Sequence, residues 1–176
     1  VDRALLTSLL DGMRYAELPK GLIPFHASDR PHTAFEDQLR EAIGYTTDGR
    51  GVSRSHFTVV GQARADFEHL LDEIRGEVER EGQCSVHVGF SEQRPSTDTL
   101  AIDESGRPFR LAPVRLPLRP QAHGALIDNL QALGGDVVVV KNIDNVLPVS
   151  ATRDVVRWKL VLIGVLAGLQ QFVADT

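Results

Sequence analysis

Val137-Val-Val-Val140 runs without a break into Lys141-Asn-Ile-Asp-Asn145, and this join constrains the fold more than any other stretch of the chain. Four β-branched residues in a row favour an extended backbone. They do not alternate with polar residues, so they predict a strand covered on both faces, as parallel strands are in α/β proteins. The polar cluster then falls at the carboxyl end of a central strand, the edge at which open α/β sheets bind ligands.

Other periods along the chain agree with that class. Phe67, Leu70, Leu71, Ile74 and Val78 recur at helical spacing, with charged residues on the opposite face. Thr33-Ala-Phe-Glu36 has the form of a capping box, in which the Thr oxygen and the Glu carboxylate satisfy free N–H groups, and the helix it opens continues through Leu39 and Ile43. Leu126, Ile127, Leu130 and Leu133 mark a third helix, ended by Gly134-Gly135. Between them, His56 to Val60, Ser85 to Phe90 and Asp136 to Val140 read as strands. Alternating strands and helices predict an open, mostly parallel, doubly wound sheet with helices on both faces. Residues 103–121 break the pattern with Pro108, Pro113, Pro117 and Pro120 and read as an irregular or β-arm insertion.

The chain has 176 residues, 42% of them hydrophobic, which fits one domain with a core of its own. A net charge of −5 disfavours nucleic acid and polybasic membrane anchoring, since both need an excess of Lys and Arg. Small molecules are the expected partners. Cys84 is the single cysteine, so no internal disulfide forms, and a cytoplasmic location is expected. The apolar run from Leu160 to Leu169 falls short of the roughly 20 residues that span a bilayer. The chain begins at Val1 without Met and reads as part of a longer protein, with Leu5, Leu6, Leu9 and Leu10 on a helix at its start.

Polar residues that directly follow strands are the candidate site. Phe90 is followed by Ser91-Glu-Gln-Arg-Pro-Ser-Thr-Asp98 and Val140 by Lys141 to Asn145, while Leu18-Pro-Lys-Gly-Leu-Ile-Pro-Phe-His26 holds a lone lysine between prolines. A carboxylate at a strand end with amides beside it suits Mg²⁺, which prefers oxygen ligands and keeps several waters. A fixed lysine offers a compact positive charge to phosphate. Together they point to phosphoryl or nucleotidyl chemistry. Plainer roles fit the same residues: an Asx turn for Asp144 and Asn145, a solvated loop lysine for Lys20, a surface amide for Gln93, and relief of crowding at a helix start for Gly124. The six histidines show no H-x-x-x-H or H-E-x-x-H spacing, and no G-x-S-x-G, Walker A or G-x-G-x-x-G motif is present, which removes support from hydrolase, P-loop and Rossmann readings.

The three clusters, in order, resemble known elements. Pro19-Lys-Gly-Leu-Ile-Pro24 is similar to the P-K-x-L-x-P element of sugar-phosphate nucleotidyltransferases. Arg119 to Leu130 and Val140 to Asn145 resemble the P-G-G-H-G and N-x-D-N elements of UDP-sugar pyrophosphorylases. More closely, Lys20-Gly-Leu-Ile-Pro-Phe-His26, His56-Phe-Thr-Val59, Phe90-Ser-Glu-Gln-Arg-Pro-Ser-Thr-Asp-Thr99, His123-Gly-Ala-Leu-Ile-Asp-Asn129 and Lys141-Asn-Ile-Asp-Asn-Val146 resemble the bacterial family called domain of unknown function 4301.

The resemblance implies a GT-A-like nucleotide-diphospho-sugar transferase fold. It also implies a reaction in which a sugar 1-phosphate and an NTP give an NDP-sugar and pyrophosphate with Mg²⁺. Residue by residue, Lys20 would contact phosphate and Asp144 would hold the metal. Gln93 and Gly124 would lie against the base, with Pro95 and His123 in the same nucleotide-binding set, and Asn142 and Asn145 would support the metal loop or the sugar phosphate. A non-catalytic nucleotide-binding module and a GT-A glycosyltransferase are the alternatives. The sequence departs from the pattern in two places: Val1 to Glu17 has only Gly12 where such enzymes carry a Gly-rich triphosphate loop, and Gln121-Ala122 replace the glycine pair before His123. Weak or absent activity is therefore expected of this segment alone.

Overall fold

The computed structural model of the chain describes residues 3–8, 12, 15, 18–27, 30–112, 114–119 and 123–176. A short helix, α1 (Arg3–Thr7), carries the exposed Leu5 and Leu6, while Leu9 and Leu10 of the pattern expected there lie outside the described residues. A single 3-10 turn, Lys20–Leu22, leads into strands β1 (Pro24–Ala27) and β2 (Pro31–Thr33). These pair antiparallel, with Pro24 opposite Thr33 and His26 opposite His32.

Thr33 starts the next helix, α2 (Ala34–Thr46), as its motif requires, its Oγ1 accepting the Glu36 N–H at 3.2 Å. The second half of the expected capping box does not form. Glu36 is fully buried and its carboxylate is bonded to Arg30 at 2.5 Å and lies 2.6 Å from Arg40. Guanidinium groups out-compete one backbone N–H because a buried carboxylate gains most from charge-assisted partners. Arg40 extends to Glu77 and Glu81 at 2.6 and 2.9 Å and so joins α2 to the following helix.

That helix, α3 (Arg64–Gly82), buries Phe67, Leu71, Ile74 and Val78. It crosses between strands β3 (Val52–Val59) and β4 (Ser85–Glu92), which form a two-stranded parallel sheet. Edge-to-face contact between Phe35 and Phe67, ring centroids 5.3 Å apart, locks α3 onto α2. Beyond β4 the short strands β5 (Thr99–Leu100) and β6 (Leu118–Arg119) pair antiparallel. Bridges between Ile102 and Pro108 and between Ala112 and Arg115 continue the arm. Asp103 turns its tip by accepting the Ser105 and Arg107 N–H groups at 2.9 Å, and Gly106 supplies a φ of 76°. A helix of five residues, α4 (Ile127–Gln131), follows a 3-10 turn at His123–Leu126, and Gly134, with φ 62°, turns the chain away after it.

The last helix, α5 (Val149–Ala174), packs its first half on α2. Gly44 admits it, since a Cβ there would meet Val156 at 2.8 Å. Lys159 reaches Glu41 at 2.8 Å and Tyr45 at 2.9 Å, and Lys141 reaches the same Glu41 at 2.5 Å. The apolar run noted from the sequence sits inside this longer helix: by length and composition alone, Ala151–Ala174 is long and apolar enough to cross a membrane.

The chain divides into two compact units. The first holds residues 1–55, 65–88 and 137–176, and the second holds residues 56–64 and 89–136. The chain is thus a mixed α/β protein, and the strand expected at Asp136 to Val140 does not form. Val137 to Val140 joins no ladder, and Val138 and Val140 are exposed. β-Branched residues fit a pleated surface only where neighbouring strands offer one. Here the end of the run is held instead by side chains of α2, through Lys141.

Glu41 is the joint of this first unit. Glu41→Ala leaves two lysine ammonium groups half-buried without their carboxylate, and a loss of about 3 kcal/mol is expected as a lower urea midpoint. Burial alone would push the Glu41 carboxyl up, but hydrogen bonds from Lys141 and Lys159 outweigh it and hold the group below its ordinary value near 4.5. The stabilisation is therefore complete above that value and is lost as pH falls through the lowered folded value. Urea midpoints taken at successive pH values from neutral downward should fall more steeply for the native chain than for Glu41→Gln.

Candidate functional site

Lys20 and Asp144 are 124 positions apart in the chain, yet Lys20 Nζ donates to Asp144 Oδ2 at 2.8 Å. Three local features produce this meeting within the first unit. Pro19 and the 3-10 turn after it fix the backbone at Lys20, closed by the Leu22 N–H on the Pro19 carbonyl at 2.9 Å. Gly21 then lies directly on the core: a Cβ there would stand 2.8 Å from the Phe67 ring and 3.2 Å from Ile143. Only glycine permits that approach, and Ile143 is the residue before Asp144.

On the other side, Asn142 to Asn145 forms a turn closed by the Asn145 N–H on the Asn142 carbonyl at 3.2 Å. The turn is held from below by Gln38, a buried residue of α2 whose Nε2 donates to the Asn142 carbonyl at 2.8 Å and to the Ile143 carbonyl at 3.4 Å. One residue earlier, Lys141 is tied to Glu41. Asp144 is consequently carried at the end of a short segment, 141–143, that α2 anchors, with its carboxylate open to solvent.

The pair is open, with side chains 71% and 42% exposed, so water screens it and it separates readily. The hydrogen bond from Lys20 holds the Asp144 carboxyl below its ordinary value, which keeps it ionised and available as an oxygen donor. Asn142 and Asn145 are exposed beside it. Among the described residues no three His, Cys, Asp or Glu side chains converge on a cation. A self-contained metal cage is absent there, while a single carboxylate sharing a hard cation with ligand phosphates suits Mg²⁺.

The remaining candidates lie in the second unit. Gln93 is half-buried, and its Nε2 is 3.4 Å from Asp98 Oδ1. Pro95 opens an exposed 3-10 turn, Pro95–Thr97. His123 and Gly124 begin the 3-10 turn before α4, and among the described residues a Cβ on Gly124 would meet nothing within 4 Å. Gln121 and Ala122, where the sequence departs from the nucleotidyltransferase pattern, lie outside the described residues. The segments 91–94 and 123–131 are tied side by side, through Asn129 to Ser91 at 2.8 Å and Arg94 to Asp128 at 3.2 Å.

Gln38 and Glu41 were not among the residues picked out by sequence motifs. Their signal is present in hindsight: a helix entered at Thr33 whose core stripe of Phe35, Leu39 and Ala42 is interleaved with Glu36, Asp37, Gln38 and Glu41, all buried. Helical periodicity assigns several of those positions to solvent, and only the partners reveal otherwise.

Gly21→Ala should displace the Lys20 turn from Phe67 and Ile143. Lys20→Gln should return the Asp144 carboxyl toward its ordinary titration range, followed by carbon-detected NMR. An Asp144 titration that does not move in Lys20→Gln contradicts the pairing.

No curated protein and no solved structure matches the chain at a significant level. A family model does match, over residues 2–176, and it is described as "Domain of unknown function (DUF4301)". With the match spanning almost the whole sequence, the chain belongs to this family.

Proposed function

We propose that the chain is the nucleotidyl-transfer domain of an enzyme that joins an NTP to a sugar 1-phosphate or a similar phosphate acceptor and releases pyrophosphate. The observation that carries the reading is the convergence of Lys20 and Asp144 from two distant motifs onto one solvent-open spot. A lysine ammonium and an ionised carboxylate side by side can divide the charges of a metal polyphosphate between them. Lys20 would offer its ammonium to a phosphate oxygen, and Asp144, freed of that partner, would be the residue to hold a divalent cation. When bound, Mg²⁺ neutralises charge on the phosphates and orients them.

In the reaction an acceptor phosphate oxygen forms a bond to the α-phosphorus as the bond from that phosphorus to the bridging oxygen breaks. The electron pair leaves with pyrophosphate. Lys20 stabilises the negative charge that builds on the phosphoryl oxygens. Asn142 and Asn145 offer amides beside the same turn, and the family resemblance assigns the nucleobase to Gln93, Pro95, His123 and Gly124. The finer fold proposed with this reading is a doubly wound, GT-A-like sheet, and what supports it is the parallel pair β3–β4 with α3 between its strands.

The test is pyrophosphate release by the full-length protein, with Mg²⁺, each of four NTPs and a panel of sugar 1-phosphates. Release is expected with at least one pair of substrates, falling about 100-fold or more in Asp144→Asn. Nucleotide binding without turnover would instead indicate a binding module. The absence of both release and nucleotide binding would overturn the proposal.

A further inference from the structure

A second cluster, wholly in the second unit, is not used by the proposed chemistry. His56 on β3 and Ser91 on β4 face each other across the sheet, His56 Nε2 lying 2.9 Å from Ser91 Oγ. Gly89 makes room for the imidazole, since a Cβ there would stand 2.6 Å from Nδ1. Asn129 Nδ2 donates to Ser91 Oγ at 2.8 Å and to the Glu92 carbonyl at 2.9 Å. The carbonyl can only accept, so it fixes which way the amide faces. Among the described residues, Asn129 Oδ1 is then left buried with no hydrogen-bond donor. Such an atom is costly to leave unmet.

These residues border a cavity of about 250 Å³, with Leu133 giving it an apolar side and the Arg94–Asp128 ion pair beside it. Glu92 and Asp128 against Arg94 leave the lining with a net negative charge, which disfavours phosphate and carboxylate. Burial lowers the His56 pKa and so favours the neutral ring, leaving a wall of hydroxyl, imidazole and amide. Hydroxyl groups that donate and accept, set on a ring with one apolar face, match that wall and that side.

We propose that this cavity binds a neutral sugar ring through adjacent hydroxyl groups, with Ser91, His56 and Asn129 as its polar contacts. A ribose and a free hexose share that chemistry. The inference does not depend on nucleotidyl transfer, and binding is read here without turnover.

The experiment is an amide-resolved NMR titration of the protein with uridine, with glucose, galactose and mannose, with 2′,3′-dideoxyuridine and with inorganic phosphate. Saturable shifts at Ser91, Glu92, Asp128 and Asn129 are expected from uridine, from a hexose or from both. Uridine alone assigns a ribose site and a hexose alone a hexose site. Ser91→Ala should weaken binding about fivefold or more, with an unchanged circular dichroism spectrum, and His56→Gln is the second variant. The inference is overturned if no sugar shifts these amides, or if dideoxyuridine or phosphate binds as well as uridine. It also fails if both variants keep native affinity.

Discussion

The buried polar face of α2 is the constraint on which the first unit depends. Glu36, Asp37, Gln38 and Glu41 are all shielded from water, and a buried carboxylate or amide without a partner would cost more than its neighbours could return. Each partner therefore dictates where another part of the chain must go. Glu36 brings in Arg30 and Arg40, and His32 stands 3.3 Å from Asp37. Gln38 takes the 142–143 backbone, and Glu41 takes Lys141 and Lys159. A helix with only apolar residues on this face would bury as much surface and specify far less.

The site follows from that arrangement by short steps. Gln38 and Glu41 hold the segment that carries Asp144, and the same segment presents Ile143 to Gly21. Gly21 lies on Phe67, which packs edge-to-face on Phe35 of α2. Lys20 thus reaches Asp144 through a path of contacts that begins and ends on one helix. The charged pair is weakly held in itself because water surrounds it, but its two backbones are placed by buried contacts. A site whose charges are free to exchange partners on a firm base is suited to a ligand that brings both signs of charge.

How much was legible differs from element to element for physical reasons. The helices around Phe35 and Phe67 could be read because a 3.6-residue period and the Thr33 cap are local signals, and α2 and α3 are found there. The strands at His56 and Ser85 were legible too, each longer in the structure than its apolar pattern. Val137 to Val140 was not, since four valines report β preference but not whether a neighbouring strand is present to pair with them. Motif spacing led to Lys20 and Asp144, which are in contact. It passed over Gln38, because an isolated glutamine on a helix looks the same whether it faces water or a loop carbonyl. The expectation that the valines themselves position Asp144 gives way to α2 in that role.

The central claim is that Lys20 and Asp144 form one site for a metal polyphosphate, and calorimetry tests it most directly. Each of the four nucleoside triphosphates would be titrated with and without Mg²⁺ into the native chain, Asp144→Asn and Lys20→Gln. The expected result is that at least one triphosphate binds more tightly with Mg²⁺, that Asp144→Asn abolishes this gain, and that Lys20→Gln weakens binding in both conditions. Binding that is indifferent to Mg²⁺ and to both substitutions, or no binding of any triphosphate, would contradict the account.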